Sequence, residues 1–328
     1  VGITHYVLER SFENNTVKTI PIQIWYPAKP RGHERFAPYN TPEALALMKQ
    51  VTIDQHKIPE SQLVNMMSAT NNSYLNAPVL KNDKKYPVII FSPGHYSPPQ
   101  SYTALLEDMA SHGYIVLSIS QAKFPPVEEE IKMEDKKFHK IWEDNVHSLI
   151  QKLPQLKKNN SILEQANLTK IGLTGHSFGG SVSLQVCEQN TQCKCAINID
   201  GYLKAKRKPK KLFKPSLALM ANDRAKALIL AKEEELKADK LLGDELIKLF
   251  NRSKDSGPSK YIEIDKMNHF SFTDAWLLLP HLAKKEKTIS GEDGIITTRK
   301  ILLWFFNKIL KNKEKKFPNF KSVKIKEY

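Results

Sequence analysis

Cysteine is scarce in this chain, with three in 328 residues, at positions 187, 193 and 195. Because no histidines stand near them at zinc-finger spacing, the thiols do not predict a structural zinc site. The spacing permits a disulfide from Cys187 to Cys193 or to Cys195 in an oxidising compartment, with one thiol left over. Three buried thiols are an equally good interpretation.

Long apolar runs are also missing, since no uncharged stretch approaches the length needed to cross a bilayer. The chain has no internal repeat and no low-complexity linker. Its hydrophobic content of 41% and charged content of 26% are ordinary for a globular protein with a large core. The first residue is Val1 and no signal-peptide pattern follows it. We expect an exported protein whose signal segment has been removed, with a cytoplasmic location as the alternative.

Acidic residues are outnumbered, 35 against 50 lysines and arginines, so the formal net charge is +15. The excess favours anionic surroundings such as lipid head groups or acidic substrates, and a solvated lysine-rich surface explains it equally well. Zinc-finger spacing and RNA-binding aromatic signatures are absent, so nucleic acid is not an expected partner. The basic tract KAKRKPKKLFK at 204–214 is interpreted either as an attractor of anionic membrane head groups or as a solvated loop.

The segment 170–187, KIGLTGHSFGGSVSLQVC, combines a strand, a tight turn and a helix. Residues 171–174 form a short apolar run, the next five match GxSxG, and 181–187 continue at helical spacing. A serine in such an elbow sits on a strained turn that exposes its hydroxyl, and glycines flank it because side chains there would collide with the strand or helix. The pattern predicts Ser177 as a nucleophile.

The remaining patterns predict an α/β fold with a mostly parallel central sheet flanked by helices. Predicted strands lie at 4–12 and 20–26, which pair antiparallel, and at 86–92, 114–119, 171–174, 195–199, 216–220 and 260–264. Predicted helices lie at 42–49, 60–68, 100–112, 181–187, 224–253 and 295–311.

We expect a single domain over 1–312, followed by a basic C-terminal tail at 313–328. Surface insertions are predicted near 31–77, 124–158 and 203–255.

A serine hydroxyl needs an imidazole to take its proton and a carboxylate to orient that imidazole. In an α/β-hydrolase sheet these groups follow successive strands in the order serine, acid, histidine. His269 follows the last predicted strand and is the expected base. Asp200 and Asp223 follow the two strands before it, and strand order alone does not choose between them.

The oxyanion formed by attack on a carbonyl requires two preorganised N–H donors. One is expected from the backbone of Phe178, directly after the serine, and the other from the loop 93–95. Pro93 has no N–H, so the backbone of His95 is the expected second donor. The ring of His95 comes too early in the chain to be the base and is interpreted as a pocket wall.

These residues resemble the plasma-type platelet-activating factor acetylhydrolases, a family of α/β-hydrolases. The resemblance extends over roughly residues 5–280 and rests on five blocks in family order: KYPVIIFSPG at 85–94, DMASHGYIV at 108–116, KIGLTGHSFGG at 170–180, AINIDGYL at 196–203 and NHFSFTD at 268–274.

The resemblance implies the α/β-hydrolase fold, no cofactor and no metal, with Ser177 as nucleophile and His269 as base. It implies Asp200 rather than Asp223 as the acid, and it supports the two backbone donors. Pro93 stands where the family commonly has a histidine, which predicts a different acyl pocket.

The expected function is a serine esterase acting through an acyl-enzyme on short-acyl phospholipids or small soluble esters. Two alternatives remain open: a catalytically silent module that binds anionic lipid or polymer, and an amidase or peptidase that uses the same triad.

Overall fold

The computed structural model describes residues 1–11, 17–56, 58–121, 135–203, 208–222, 233–256, 259–320 and 323–328. The strands are β1 (Gly2–Ser11), β2 (Val17–Tyr26), β3 (Phe36–Pro38), β4 (Thr70–Leu75), β5 (Tyr86–Ser92), β6 (Ile115–Ile119), β7 (Ala166–His176), β8 (Cys193–Ile199), β9 (Ser216–Ala221), β10 (Lys260–Ile264) and β11 (Ile325–Glu327). The α-helices are α1 (Pro42–His56), α2 (Val64–Ser68), α3 (Thr103–Ser111), α4 (Asp135–Asn159), α5 (Ser161–Glu164), α6 (Phe178–Gln189), α7 (Glu233–Ser253), α8 (Ala275–Leu278), α9 (Pro280–Lys285) and α10 (Gly291–Lys311).

The described strands form one sheet in the order β11-β10-β9-β8-β7-β5-β6-β2-β1-β4-β3. The six central strands, from β10 to β6, run parallel. All seven residues of β5 are buried, as expected for a parallel strand covered on both faces. The predicted antiparallel pairing of the first two strands is confirmed, and every predicted central strand is present.

Helices cover both faces of the sheet and create two hydrophobic cores. One core contains apolar residues of α4, α6 and α7, and the other contains those of α3 and α10. The aromatic residues of α10 belong to the second core: Phe305 and Phe306 are 3% and 0% exposed. A Cβ at Gly172 would lie 2.7 Å from the ring of Phe306, so glycine lets α10 approach the sheet closely.

Two predicted peripheral segments join the sheet instead of lying outside it. The insertion at 31–77, predicted as a surface excursion, adds β4 to the edge of β1 and β3 beyond it. The segment at 313–328, predicted as a tail, ends in β11, which pairs antiparallel with β10. These three strands are only three to six residues long, and their order is set by free strand edges that local sequence cannot reveal.

Parts of the other two insertions lie outside the described residues. This applies to 124–134, to 204–207 within the basic tract, and to 223–232, which includes the alternative acid Asp223. Across the described ranges, no helix is both long enough and apolar enough to cross a bilayer.

The three cysteines resolve into a disulfide between Cys187 and Cys193 and a free, buried Cys195. The bridge joins the end of α6 to the start of β8, with the two Cα atoms 5.2 Å apart. Burial raises the pKa of the Cys195 thiol well above its usual value, which keeps it protonated.

We therefore expect thiol titration of the denatured, unreduced protein to detect one thiol per chain, and three after reduction, because only Cys195 is free. Cys195→Ser should lower the unreduced count to none. Three thiols in unreduced protein would contradict the bridge.

Candidate active site

Ser177 lies at the sharp turn between β7 and α6, at the carboxyl end of the sheet. Its backbone has φ 54° and ψ −124°, a conformation that L-residues rarely adopt and that costs about 1–3 kcal/mol. The turn is held by close approach to β5, because a Cβ at Gly179 would lie 2.1 Å from the carbonyl oxygen of Ser92. The predicted elbow is therefore present, with a half-buried serine at its apex.

Asp200 and His269 meet beside this elbow. The Nδ1 atom of His269 lies 2.5 Å from Oδ2 of Asp200, whose carboxylate is fully buried. The other carboxylate oxygen accepts a hydrogen bond from the backbone N–H of Ala221 at 3.0 Å. Because Asp200 directly follows β8, this second bond fixes the carboxylate against the next strand. Asp200 therefore contacts the imidazole of His269, and its role as the acid stays a prediction.

His269 is presented by a short 3-10 turn, His269–Phe272, that a capping box stabilises. The side chain of Asn268 accepts a hydrogen bond from the N–H of Phe270, and the hydroxyl of Ser271 accepts one from the N–H of Asn268. The side chain of Trp276 also donates to Asn268. The base loop is therefore a locally rigid unit.

A chain of hydrogen bonds runs from the predicted oxyanion loop, residues 93–95, to the base loop, residues 268–274. It passes through His176, the residue before the serine. The N–H of Gly94 donates to the hydroxyl of Tyr102, which lies 2.9 Å from Nδ1 of His176. The Nε2 atom of His176 lies 3.0 Å from the backbone carbonyl oxygen of His269. The partners imply that Tyr102 donates to Nδ1 and that Nε2–H donates to the carbonyl. Burial raises the pKa of Tyr102 to about 12, so it stays a neutral donor.

The rings of His176 and His269 lie 4.3 Å apart, which brings the base next to the elbow. Ser177 stands at the N-cap position of α6, and its side chain makes no capping hydrogen bond to that helix. Catalytic hydrogen bonds are often long without substrate and tighten in the complex. Proton transfer from Ser177 to His269 thus stays a prediction.

The two predicted oxyanion donors lie next to the elbow. Phe178 is the first residue of α6, so its N–H has no partner within the helix. His95 follows Gly94, where a Cβ would lie 3.4 Å from the Cβ of Ser177. The ring of His95 packs 5.7 Å from the ring of Phe178. Their donor role stays a prediction.

An apolar pocket adjoins these groups. Tyr96 and Ser97, just after His95, form one wall, and Phe270, just after His269, forms another. The remaining lining includes two methionines and an indole contributed by α1, α2 and α8: Met48, Met66 and Trp276. The insertion at 31–77 thereby supplies part of the pocket, a role that its irregular sequence did not predict.

Three residues of the site have the side chains needed to bind a metal, namely His176, Asp200 and His269, with one ligand atom of each within 4.8 Å of the others. Both nitrogens of His176 and the Nδ1 atom of His269 face the hydrogen-bond partners described above. The arrangement therefore fits a proton relay better than a metal centre.

Sequence reasoning missed one buried acid, Asp274, at the end of the base loop. Its Oδ2 accepts hydrogen bonds from the hydroxyl of Tyr39 at 2.5 Å and from the N–H of Ala104 at 3.0 Å. It therefore joins the base loop to the insertion and to α3. The signal was present in NHFSFTD, but an aspartate at a turn has many local roles, so burial could not be anticipated.

The architecture and the site geometry together define an α/β-hydrolase. A ferulic acid esterase from Streptomyces cinnamoneus shares the fold, with a TM-score of 0.76, 18% sequence identity, and coverage of 99% of this chain and 95% of that one. The predicted fold class is thereby confirmed.

The family can also be stated. The model of platelet-activating factor acetylhydrolase, isoform II, matches residues 140–319, and that of chlorophyllase matches residues 48–214. The first match spans more than half of the chain, which belongs to the platelet-activating factor acetylhydrolase family.

Individual relatives are distant. The platelet-activating factor acetylhydrolases of Canis lupus familiaris and Bos taurus are 25% and 24% identical over 175 and 169 residues, which cover 42% and 38% of this chain. A probable 1-alkyl-2-acetylglycerophosphocholine esterase of Arthroderma benhamiae is 26% identical over 128 residues, or 36% of this chain. The matched part spans only 39%, 37% and 32% of the lengths of these three proteins.

Asp274 makes a testable contribution to the pH dependence of stability. Burial raises its pKa to about 7, with the nearby Glu107 carboxylate adding to the shift and the bonds from Tyr39 and Ala104 opposing it. An acid with a raised native pKa stabilises the fold fully below its unfolded pKa of about 4, and this contribution is lost as pH rises through about 7.

We expect wild-type protein to lose about 1–4 kcal/mol of unfolding free energy from this group between pH 4 and 8. Asp274→Asn should remove that component, measured by urea unfolding at several pH values. The surface variant Asp255→Asn is the control and should keep the wild-type slope. Equal slopes in all three proteins would contradict the assignment.

Proposed function

We propose that this protein is a serine hydrolase that cleaves carboxylic esters through an acyl-enzyme. The observation that carries the proposal is the 2.5 Å contact between Asp200 and His269 beside the strained Ser177 elbow. Membership of the acetylhydrolase family supports an esterase rather than another use of the fold.

The reaction begins when Nε2 of His269 takes the proton of the Ser177 hydroxyl as its oxygen attacks the ester carbonyl. Asp200 holds the imidazole in the required tautomer and stabilises the imidazolium that forms. The N–H groups of Phe178 and His95 stabilise the tetrahedral oxyanion. His269 then protonates the departing alcohol as its bond to the carbonyl carbon breaks, and water, activated by the same imidazole, hydrolyses the acyl-enzyme.

The substrate class follows from the pocket between the oxyanion loop and the base loop. Its methionine, tryptophan and phenylalanine lining offers dispersion contacts and no charged partner, so it suits an uncharged acyl group. The names of the relatives favour short-acyl phospholipids, and small soluble esters fit the same pocket. We propose that the pocket limits the length of the acyl group.

The proposed location is outside the cytoplasm, because the Cys187–Cys193 bridge would persist in an oxidising compartment. Contact with an anionic membrane surface is proposed from the net charge of +15. Within the basic tract, however, Lys208 pairs with Glu245, and Lys214 donates to the backbone carbonyls of Cys187 and Asn190. These two lysines therefore support structure rather than lipid attraction.

Ser177→Ala should abolish turnover of p-nitrophenyl acetate and labelling by a fluorophosphonate probe, because both require an activated serine. Full activity in this variant would contradict the mechanism. An unlabelled wild-type protein would favour the silent binding module, and equal turnover of anilides and esters would favour an amidase.

The choice of acid is tested by comparing Asp200→Asn with Asp223→Asn. We expect the first to lower kcat about 10³- to 10⁴-fold, because an amide selects the wrong imidazole tautomer. The second should stay within about 2-fold of wild type, since Asp200 already occupies Nδ1. The opposite ranking would assign the role to Asp223.

The proposed acyl pocket is tested by substituting two consecutive methionines of α2. Met66 is 2% exposed and lines the pocket, whereas Met67 is 52% exposed on the outer face of the helix. Met66→Trp should lower the ratio of kcat/KM for p-nitrophenyl hexanoate to that for the acetate by about 10-fold, because the indole fills the space. Met67→Trp is the control, and an unchanged ratio in both variants would place the acyl group elsewhere.

A further inference from the structure

The side chain of Phe178 lies in a cluster of rings, and most of its neighbours come from one helix. Ring centroids of Phe138, His139 and Trp142, all on α4, lie 5.5, 5.2 and 5.0 Å from it. The ring of His95 completes the cluster and packs 4.8 Å from Phe138. The residues that carry both candidate oxyanion donors are therefore held by the same helix, which lies in the segment 124–158 that the sequence analysis predicts as a surface insertion.

Within this cluster, His139 is anchored at both ring nitrogens. Its Nδ1 lies 2.7 Å from Oε1 of Glu143, one turn further along α4, and its Nε2 lies 2.8 Å from the hydroxyl of Ser181 in α6. The partners imply that Nδ1–H donates to the carboxylate and that Nε2 accepts from the hydroxyl. The ring can neither rotate nor slide without breaking one of these bonds.

This Ser181–His139–Glu143 group repeats the order of contacts of a catalytic triad, but it is not a second active site. Ser181 and His139 are 0% exposed and Glu143 is 7% exposed. No ester could reach the hydroxyl of Ser181. Burying three polar side chains costs desolvation free energy that apolar residues of similar size would avoid. Their presence here is explained if the position of these side chains matters.

The geometry links this group to the oxyanion hole. A backbone N–H stabilises an oxyanion only when it lies about 2.7–3.1 Å from the oxygen, so small displacements of the backbone are costly. The N–H of Phe178 moves with its side chain because both belong to one residue at the first position of α6. His139 contacts that side chain edge-on and is bonded three residues further along the same helix, at Ser181.

We propose that His139, held by Glu143 and Ser181, is a positioning residue that aligns the Phe178 N–H with the oxyanion. This inference rests on the proposed esterase function and assigns a catalytic purpose to a helix outside the triad. His139 touches neither substrate nor reacting atoms. The alignment of the Phe178 N–H affects mainly the transition state, because this donor interacts more strongly with the oxyanion than with the ester carbonyl.

The test is His139→Gln, which keeps polar atoms near Glu143 and Ser181 but removes the ring that faces Phe178. We expect kcat for p-nitrophenyl acetate to fall about 10-fold with KM within about 2-fold, a fraction of the loss seen when a whole oxyanion donor is removed. The inhibition constant of a trifluoromethyl ketone, whose adduct carries an oxyanion, should rise by the same factor.

His147→Gln is the matched control. His147 lies on the same helix and bridges to α6 in the same way, but it reaches Gln189 and Asn190 at the far end of that helix. Loss of helix docking alone would affect both variants equally. We expect His147→Gln to keep wild-type kcat, KM and inhibition.

Ser181→Ala serves if His139→Gln does not fold, because it removes one hydroxyl with little change in shape. It should lower kcat about 3-fold with the same parallel loss of ketone affinity. If His139→Gln (or Ser181→Ala in its place) and His147→Gln all have the kinetics of wild type, the inference is overturned while the esterase proposal stands. A wild-type protein with no ester turnover would overturn both, and a rise in KM alone would assign His139 to substrate binding instead.

Discussion

The close approach of the elbow to β5 is the constraint on which the rest of the site depends. Side chains at Gly175 and Gly179 would overlap the carbonyl oxygen of Ser92, at 2.4 and 2.1 Å. Only bare backbone allows β7 to turn into α6 at this point. This turn forces Ser177 into its strained conformation and leaves the first N–H groups of α6 directed away from the helix. The proposed nucleophile and the proposed oxyanion donor thus both depend on one packing requirement.

Around the elbow, hydrogen bonds connect segments that are far apart in the chain. Tyr102 and His176 join the oxyanion loop to the base loop, and Asp274 joins the base loop to the insertion. Each connection uses a buried polar group with a defined partner, which fixes orientation more sharply than apolar packing does. These hydrogen bonds therefore tie the loops at this edge of the sheet to one another.

The insertion at 31–77 contributes both to the sheet and to the pocket. The insertion at 31–77 contributes two edge strands and part of the pocket wall, and α1 and α2 pack on the α8–α9 region through a small third core. Because this insertion borders the pocket, changes in its sequence would alter the pocket lining without replacing Ser177, Asp200 or His269.

The sequence by itself determined the central strands and the elbow, and it supplied the predicted site residues Ser177, His269 and the two possible acids. These features depend on local periodicity, on glycine spacing and on chain order, all of which are readable along one dimension. The disulfide partner was left open, the edge strands β3, β4 and β11 were not predicted, and chain order did not choose between Asp200 and Asp223, for which the resemblance favoured Asp200. Each depends on which free edge or side chain lies nearest in space.

Tertiary structure alone decided the contacts that connect distant segments. Tyr102 is 74 residues from His176, Tyr39 is 235 from Asp274, and His139 is 42 from Ser181. No periodic pattern marks such residues, because a buried tyrosine, aspartate or histidine looks the same in sequence as an exposed one. Their roles arise when folding removes them from water, since each must then find a partner, and the partner it finds defines the site.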